Sequence, residues 1–364
     1  MKSTWIAMTA VVLAAALCLC GCRKEPVAVT PDTPDTQTGP AGFGEPIPSE
    51  ETLKPYGTVT LDAVSLRVFV WDDAHLLFVC ANPDADGNLT QITLHLFDNR
   101  SGRIAASCGY PEDHGPDLFC YTDAADAMTL YGGESAYTLT FSDGALTLRE
   151  GTAPADAAAG STRVLSPDGR TVAYRNTDVT SGAGAVRLSQ NGGASRVILT
   201  DVPYTEGLSQ TRIYSPVGFL DATHLAYAIG GWDGAVGYGV YDTASGEKTE
   251  IENGMRLDGV WGGALYLSQM QSYRVTALYR AETTGSMSVL ASEQINTEAA
   301  LSALFGENVG VSFVGGKWVA INYMAGTISV YSGDLSKTEL AAEPLPPRLF
   351  HIAVTDGGGL VLVD

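Results

Sequence analysis

The sequence predicts an all-β domain, a β-propeller of four-stranded blades, over residues 56–364. Three observations point to it. Short runs of alternating apolar and polar residues are bounded throughout by Asp, Gly and Ser turns, with no convincing helical period between them. The same turn-then-strand phrase returns at a spacing of roughly 40–50 residues. A sandwich leaves that long period unexplained, whereas a blade is one sheet whose faces are buried only by neighbouring blades.

The chain opens differently. Lys2 precedes an apolar run from Trp5 to Leu19. That is shorter than the about 20 apolar residues a membrane span needs, and it has the length of a secretory h-region. The run closes on Leu19-Cys20-Gly21-Cys22, which resembles the lipobox of bacterial lipoproteins. The resemblance implies a signal peptide over 1–21, acylation of Cys22, and an extracytoplasmic protein held to the bacterial membrane by that lipid. The alternative is an ordinary signal peptide that contains cysteines. Residues 22–55 are rich in Pro, Thr, Gly and acid and poor in apolar residues. They are expected to form a disordered tether, because such a segment cannot bury enough surface to offset its ordering entropy.

The propeller units follow. "LSPDGRTVAYRN" (165–176) is a strand end, a Pro-Asp-Gly turn and a new strand. Its relatives are "VWDDAHLLFVC" (70–80) and "FLDATHLAYAIGG" (219–231), with Gly-Gly turns instead in "GVWGGALYLSQM" (259–270) and "SFVGGKWVAINYM" (312–324). Six full units are expected at about 64–108, 117–153, 160–202, 212–254, 255–293 and 308–342. "GTVTLDA" (57–63) at one end, and "FHIAV" and "GLVLVD" at the other, are left to pair as a seventh blade that closes the ring. Six blades with irregular ends is the alternative. "NTEAALSALFG" (296–306) is expected to be a short helix on a loop. "SPDGRTVAY" (166–174) resembles the repeat of TolB-type propellers, and "FLDATHLAY" (219–227) a variant of it. The resemblance supports the fold and implies little about function, since propellers host many unrelated activities.

Charge and motif content narrow the function classes. A formal net charge of −20 and no Lys/Arg run argue against a nucleic-acid partner. "NPDADGNLT" (82–90) places Asp84, Asp86 and Asn88 at the spacing of a calcium loop, yet Thr93 stands where a closing Glu is needed. A plain hairpin turn is the preferred reading of those residues. The histidines His75, His95, His114, His224 and His351 lack ligand spacing, and His75 and His224 share one repeat position, which suggests architecture. HExxH, CxxC and G-x-S-x-G are absent from the sequence, so no catalytic residue or cofactor is predicted. Trp232 and Tyr238 in "GGWDGAVGYGVY", with Tyr273, are candidates for an aromatic platform binding a sugar or peptide. Cys80, Cys108 and Cys120 follow Cys22, and Cys108 and Cys120 are candidates for a disulfide. The expected role is non-catalytic binding of a protein or envelope component. The alternative is a glycan- or peptide-binding module, or a hydrolase or lyase, with its site at the central channel.

Overall fold

The computed structural model describes residues 57–363, excepting 62–64, 84–88, 113, 133–134, 153–157, 204–210, 272–273, 283–292, 296–303, 307 and 347–348. Cys22 and the tether, the candidate calcium residues Asp84, Asp86 and Asn88, Tyr273, and most of the expected 296–306 helix lie outside the described residues.

Seven sheets form a ring. The described chain opens with β1 (Gly57–Val59). Blade one is β2 (Ser65–Val70), β3 (His75–Pro83), β4 (Leu89–Asp98) and β5 (Arg103–Tyr110). Blade two is β6 (Leu118–Tyr121), β7 (Ala127–Gly132), β8 (Ser135–Ser142) and β9 (Ala145–Glu150). Blade three is β10 (Ala158–Leu165), β11 (Thr171–Asp178), β12 (Gly184–Gln190) and β13 (Arg196–Thr200). Blade four is β14 (Ile213–Phe219), β15 (His224–Gly231), β16 (Gly234–Asp242) and β17 (Lys248–Ile251). Blade five is β18 (Met255–Trp261), β19 (Ala264–Gln271), β20 (Arg274–Glu282) and β21 (Glu293–Gln294). Blade six is β22 (Val309–Val314), β23 (Lys317–Asn322), β24 (Thr327–Ser332) and β25 (Thr338–Pro344).

Blade seven joins the two ends, as the repeat arithmetic predicts. β26 (His351–Val354) pairs antiparallel with β27 (Leu360–Val363), and β27 pairs with β1 in parallel, Gly57 opposite Val361. The β1 ladder is only three residues long, so its hydrogen bonds contribute about 1 kcal/mol each at most. Side-chain burial does more. Phe78 and Phe97 of blade one cluster with Ala353 and Val363, while Val319 and Val330 of blade six cluster with Val354 and Leu362. Each such fully buried large side chain contributes roughly 1.5–3 kcal/mol. The ring is closed mainly by its faces.

The first strand of each blade lies innermost, since β6, β10, β14 and β18 each touch the first strand of the next blade. Outer strands alternate between exposed and half-buried, as β5 does. The inner strands of neighbouring blades pack closely. β14 and β18 each carry a bulge followed by glycine, where an added Cβ would meet Val260 at 3.1 Å from Gly218 and Phe313 at 2.7 Å from Gly259. Gly259→Ala is therefore expected to destabilise by about 1–3 kcal/mol through forced movement of Phe313. An unchanged urea midpoint would show that blades five and six are not packed so tightly there.

The turns divide into two faces. Turns between strands one and two, and three and four, lie on one face; those between two and three, and the blade-to-blade connections, lie on the other. Asp98, Asp178, Asp242 and Asn322 each end a strand and accept a hydrogen bond from the N–H two residues on. Each is followed four residues later by a glycine at positive φ: Gly102, Gly182, Gly246 and Gly326. This five-residue turn is the most regular device of the repeat.

The suggested disulfide is corrected. Cys108 and Cys120 are free thiols, as is Cys80. Cys108 lies on β5, the outer strand of blade one, and Cys120 on β6, the inner strand of blade two. Closeness in sequence across a connection is not closeness in space when that connection crosses the full width of a blade. Of the expected helix, Leu304 is described and is buried beside blade six.

Candidate functional site

Seven large apolar side chains are exposed among the described residues, and five of them stand at or beside the two–three turns of four consecutive blades: Val179, Trp232, Met270, Tyr323 and Met324. Trp232 and Met324 are 81% and 80% exposed. The turns of blades three, four and six are short, and those of blades three and six are pinned by side-chain hydrogen bonds. Trp232 and Asp233 alone join β15 to β16, between Gly231 and Gly234. Asn322 Oδ1 accepts from Met324 N at 3.1 Å and Ala325 N at 2.9 Å, which fixes the Tyr323-Met324 turn. Asp178 Oδ1 does the same for Thr180 N and Ser181 N beside Val179. The result is an apolar arc on blades three to six.

Of the residues that the sequence suggested for an aromatic platform, Trp232 belongs to this arc. Tyr238 does not: it is 1% exposed and clusters with Leu257, Leu265 and Leu267 between blades four and five. The glycine-rich stretch reads as a loop, but its glycines are strand residues. An added Cβ on Gly237 would strike the Ile251 carbonyl, and one on Gly239 the Tyr227 ring. Close packing, and not a loop, requires those glycines. Val179, Met270, Tyr323 and Met324 were missed by sequence reasoning. Their signal was their placement after a strand-ending Asp or Asn, or at a strand end, without any aromatic-rich context.

The two repeated histidines hold turns on the opposite face. Asp72 Oδ1 accepts from Ala74 N at 2.8 Å and His75 N at 2.7 Å, and lies 2.9 Å from His75 Nδ1. Asp221 accepts from Thr223 N and His224 N, and its Oδ2 lies 2.7 Å from His224 Nδ1. Burial pushes the Asp72 carboxyl up, but the His75 hydrogen bond and charge outweigh it and hold it below the usual carboxylate range. The partner effect on His75 is the mirror image: burial lowers its pKa, and Asp72 more than restores it. Among the described residues no group of three or more His, Cys, Asp or Glu is placed to hold a metal ion. Burial pushes the Cys80 thiol up to about 11, the environment of an inert cysteine.

Two buried charges sit on the inner strands. Arg163 of β10 is fully buried and donates from Nε to Trp71 O at 2.6 Å, and from Nη1 to Ala127 O at 2.6 Å and Ala124 O at 3.2 Å. Its guanidinium carbon lies 5.1 Å from the Trp71 ring centroid and 4.9 Å from that of Tyr121. One side chain thus joins blades one, two and three. Asp258, in the β18 bulge, pairs with Arg256 at 2.7 Å, and Arg256 also donates to Val311 O of blade six. Burial raises the Asp258 pKa despite that pair. Arg163 joins blades directly, and Asp258 holds the Arg256 side chain that reaches blade six.

No protein-family model matches the chain, and no curated protein does. Solved structures do resemble it. TolB from Agrobacterium tumefaciens is 18% identical over 69% of this chain and 87% of that one, with a TM-score of 0.40. The β-propeller domain of the Trilobed protease from Pyrococcus furiosus is 9% identical over 82% and 93%, with a TM-score of 0.44. Oligogalacturonate lyase in complex with manganese is 13% identical over 76% and 75%, also at 0.44. What they share with this chain is the fold. The fold itself rests on the seven sheets described above, and at these identities and TM-scores the likenesses carry nothing about what this chain binds or does.

Proposed function

We propose that this is a bacterial lipoprotein, anchored outside the cytoplasm through Cys22, whose propeller is a non-catalytic scaffold that binds a protein partner of the cell envelope. The observation that carries the reading is the arc of Val179, Trp232, Met270, Tyr323 and Met324 at or beside the two–three turns of four successive blades, with Asp178 and Asn322 pinning two of those turns. Exposed Trp, Tyr and Met side chains lose water on docking, and turns already rigid lose little entropy. β1 supports the orientation. Because it runs parallel to β27, the described chain begins on the one–two face, opposite the arc. If the 34 residues of 22–55 form the flexible tether that their composition predicts, such a chain would reach about 30 Å, enough to hold the arc clear of a membrane surface.

The test is crosslinking and recovery of the tagged full-length protein from its own intact cells, beside Cys22→Ser and the Trp232→Ala/Met324→Ala double variant. The expected result is one dominant envelope protein, recovered at least about tenfold less by the double variant, as loss of a central aromatic anchor requires, and reduced when Cys22 is replaced. Equal recovery by the double variant would overturn the docking face, and equal recovery by Cys22→Ser with unchanged membrane fractionation would overturn the anchor.

A further inference from the structure

On the one–two face, away from the apolar arc, a cavity of about 280 Å³ opens between the turns of blades five, six and seven. Its existence follows from the local sequence. Blades one and four close their first hairpin with an Asp-x-x-His turn, whereas blades five and six use Gly262-Gly263 and Gly315-Gly316, all four at positive φ. These two-residue turns are the shortest hairpin connections available. They keep the wall low. Trp261, 48% exposed, reaches across from blade five and lies against Gly316, where an added Cβ would come 2.6 Å from the indole ring. On the far side the Thr355–Gly359 turn of blade seven is closed by Gly358 N to Thr355 O at 2.8 Å and held to blade one by Asp356 N to Arg100 O at 2.9 Å. Asp356 lines the cavity. Lys317 of β23 and Glu339 of β25 also line it, ion-paired to each other and mostly buried.

We infer that this cavity is a binding site for a neutral pyranose ring of a glycan. A sugar ring offers an apolar face of C–H groups and an edge of hydroxyls that donate and accept. Trp261 supplies the flat aromatic surface for the first. Lys317, as a donor, and Glu339 and Asp356, as acceptors, supply both senses of hydrogen bond for the second. The Lys317–Glu339 pair is internally neutralised, which leaves Asp356 as the excess charge. Together with the net charge of −20, that disfavours uronates and other anionic sugars. Gly316, lacking a side chain, lets the indole settle against the blade-six turn at the edge of the cavity. A charged amine stacked on Trp261 beside Asp356 is the competing ligand chemistry, and the test separates them.

The full-length protein in detergent is titrated with neutral hexosides, N-acetylhexosaminides, a uronate and choline, followed by tryptophan fluorescence and saturation-transfer NMR. Saturable binding of a neutral pyranoside is expected, weakened about tenfold in Trp261→Ala and weakened in Glu339→Gln, while Trp232→Ala on the opposite face leaves it unchanged. Melting of Trp261→Ala is expected to match the parent, so that loss of binding is not loss of fold. The inference is overturned if choline or the uronate saturates and neutral sugars do not, if no sugar saturates by about 10 mM, or if Trp261→Ala binds like the parent. Recovery of the protein partner by Trp261→Ala stays at the parental level in either case, so failure here is distinct from failure of the docking face.

Discussion

Arg163→Met is expected to lower the unfolding free energy by about 3–5 kcal/mol. Methionine matches much of the volume but none of the donors. The carbonyls of Trp71, Ala124 and Ala127 then remain buried without the N–H groups whose hydrogen bonds they now accept. The Trp71 and Tyr121 rings lose the cation between them. Burial depresses the Arg163 pKa, yet Tyr121, Asp72, Asp126 and Asp73 all act in the opposite direction, and a guanidinium stays protonated in any protein environment. Arg163→Lys is expected to recover only part of the loss, because an ammonium lacks the planar fork that reaches carbonyls of two different blades. Urea unfolding at neutral pH measures both. A loss under about 1 kcal/mol for the methionine variant would mean that the carbonyls find water instead.

Stability is also expected to fall by roughly 3 kcal/mol as the pH drops from about 6.5 to about 4, through one histidine at the ring closure. His351 of β26 donates from Nε2 to Asn99 Oδ1 at 2.7 Å and lies among Phe78 and Phe97 of blade one. Burial alone lowers its pKa to about 4. The sign follows from proton binding. The unfolded chain takes up a proton near pH 6.5 while the folded chain resists until about 4, so acid favours the unfolded state across that window. The contribution is fully present above pH 6.5 and lost by about 4. His351→Gln removes the titration and is expected to flatten this part of the pH profile, whatever its effect on the plateau. A parent and variant with parallel profiles between pH 6.5 and 4 would refute the assignment. His75 moves in the other direction, its pKa raised by Asp72, so its pair is kept as the pH falls through the neutral range and is lost as the pH rises past the raised value.

The architecture was legible because a propeller repeats its turn chemistry. "SPDG", "DDAH" and "DATH" mark one hairpin in three blades, and the structure places all three between first and second strands. The ring closure was legible too, since β1 and the last two strands had no partners within any complete unit. The parallel sense of the β1–β27 pair was not, because alternation of side chains is the same for either direction. The cysteine suggestion failed for a related reason. A short connection looks like a tight link in sequence, but between blades it runs from outer edge to inner edge.

Surface function was legible only where a residue announces itself. Trp232 between two glycines does so; Val179, Met270, Tyr323 and Met324 read as ordinary apolar residues at strand ends, and only the shared turn position gathers them on one face. Tyr238 shows the converse, since glycines that serve close packing look the same in sequence as glycines that serve a loop. Local patterns, which depend on neighbours two to four residues away, determined the strands and the turns, and left seven blades against six to the pairing of β1 with β27. The cavity beside Trp261, the Arg163 junction and the His351 contact bring together residues 22 to 252 positions apart. Those distances are set by the curvature of the ring, which no local period encodes, so only the tertiary structure decided them.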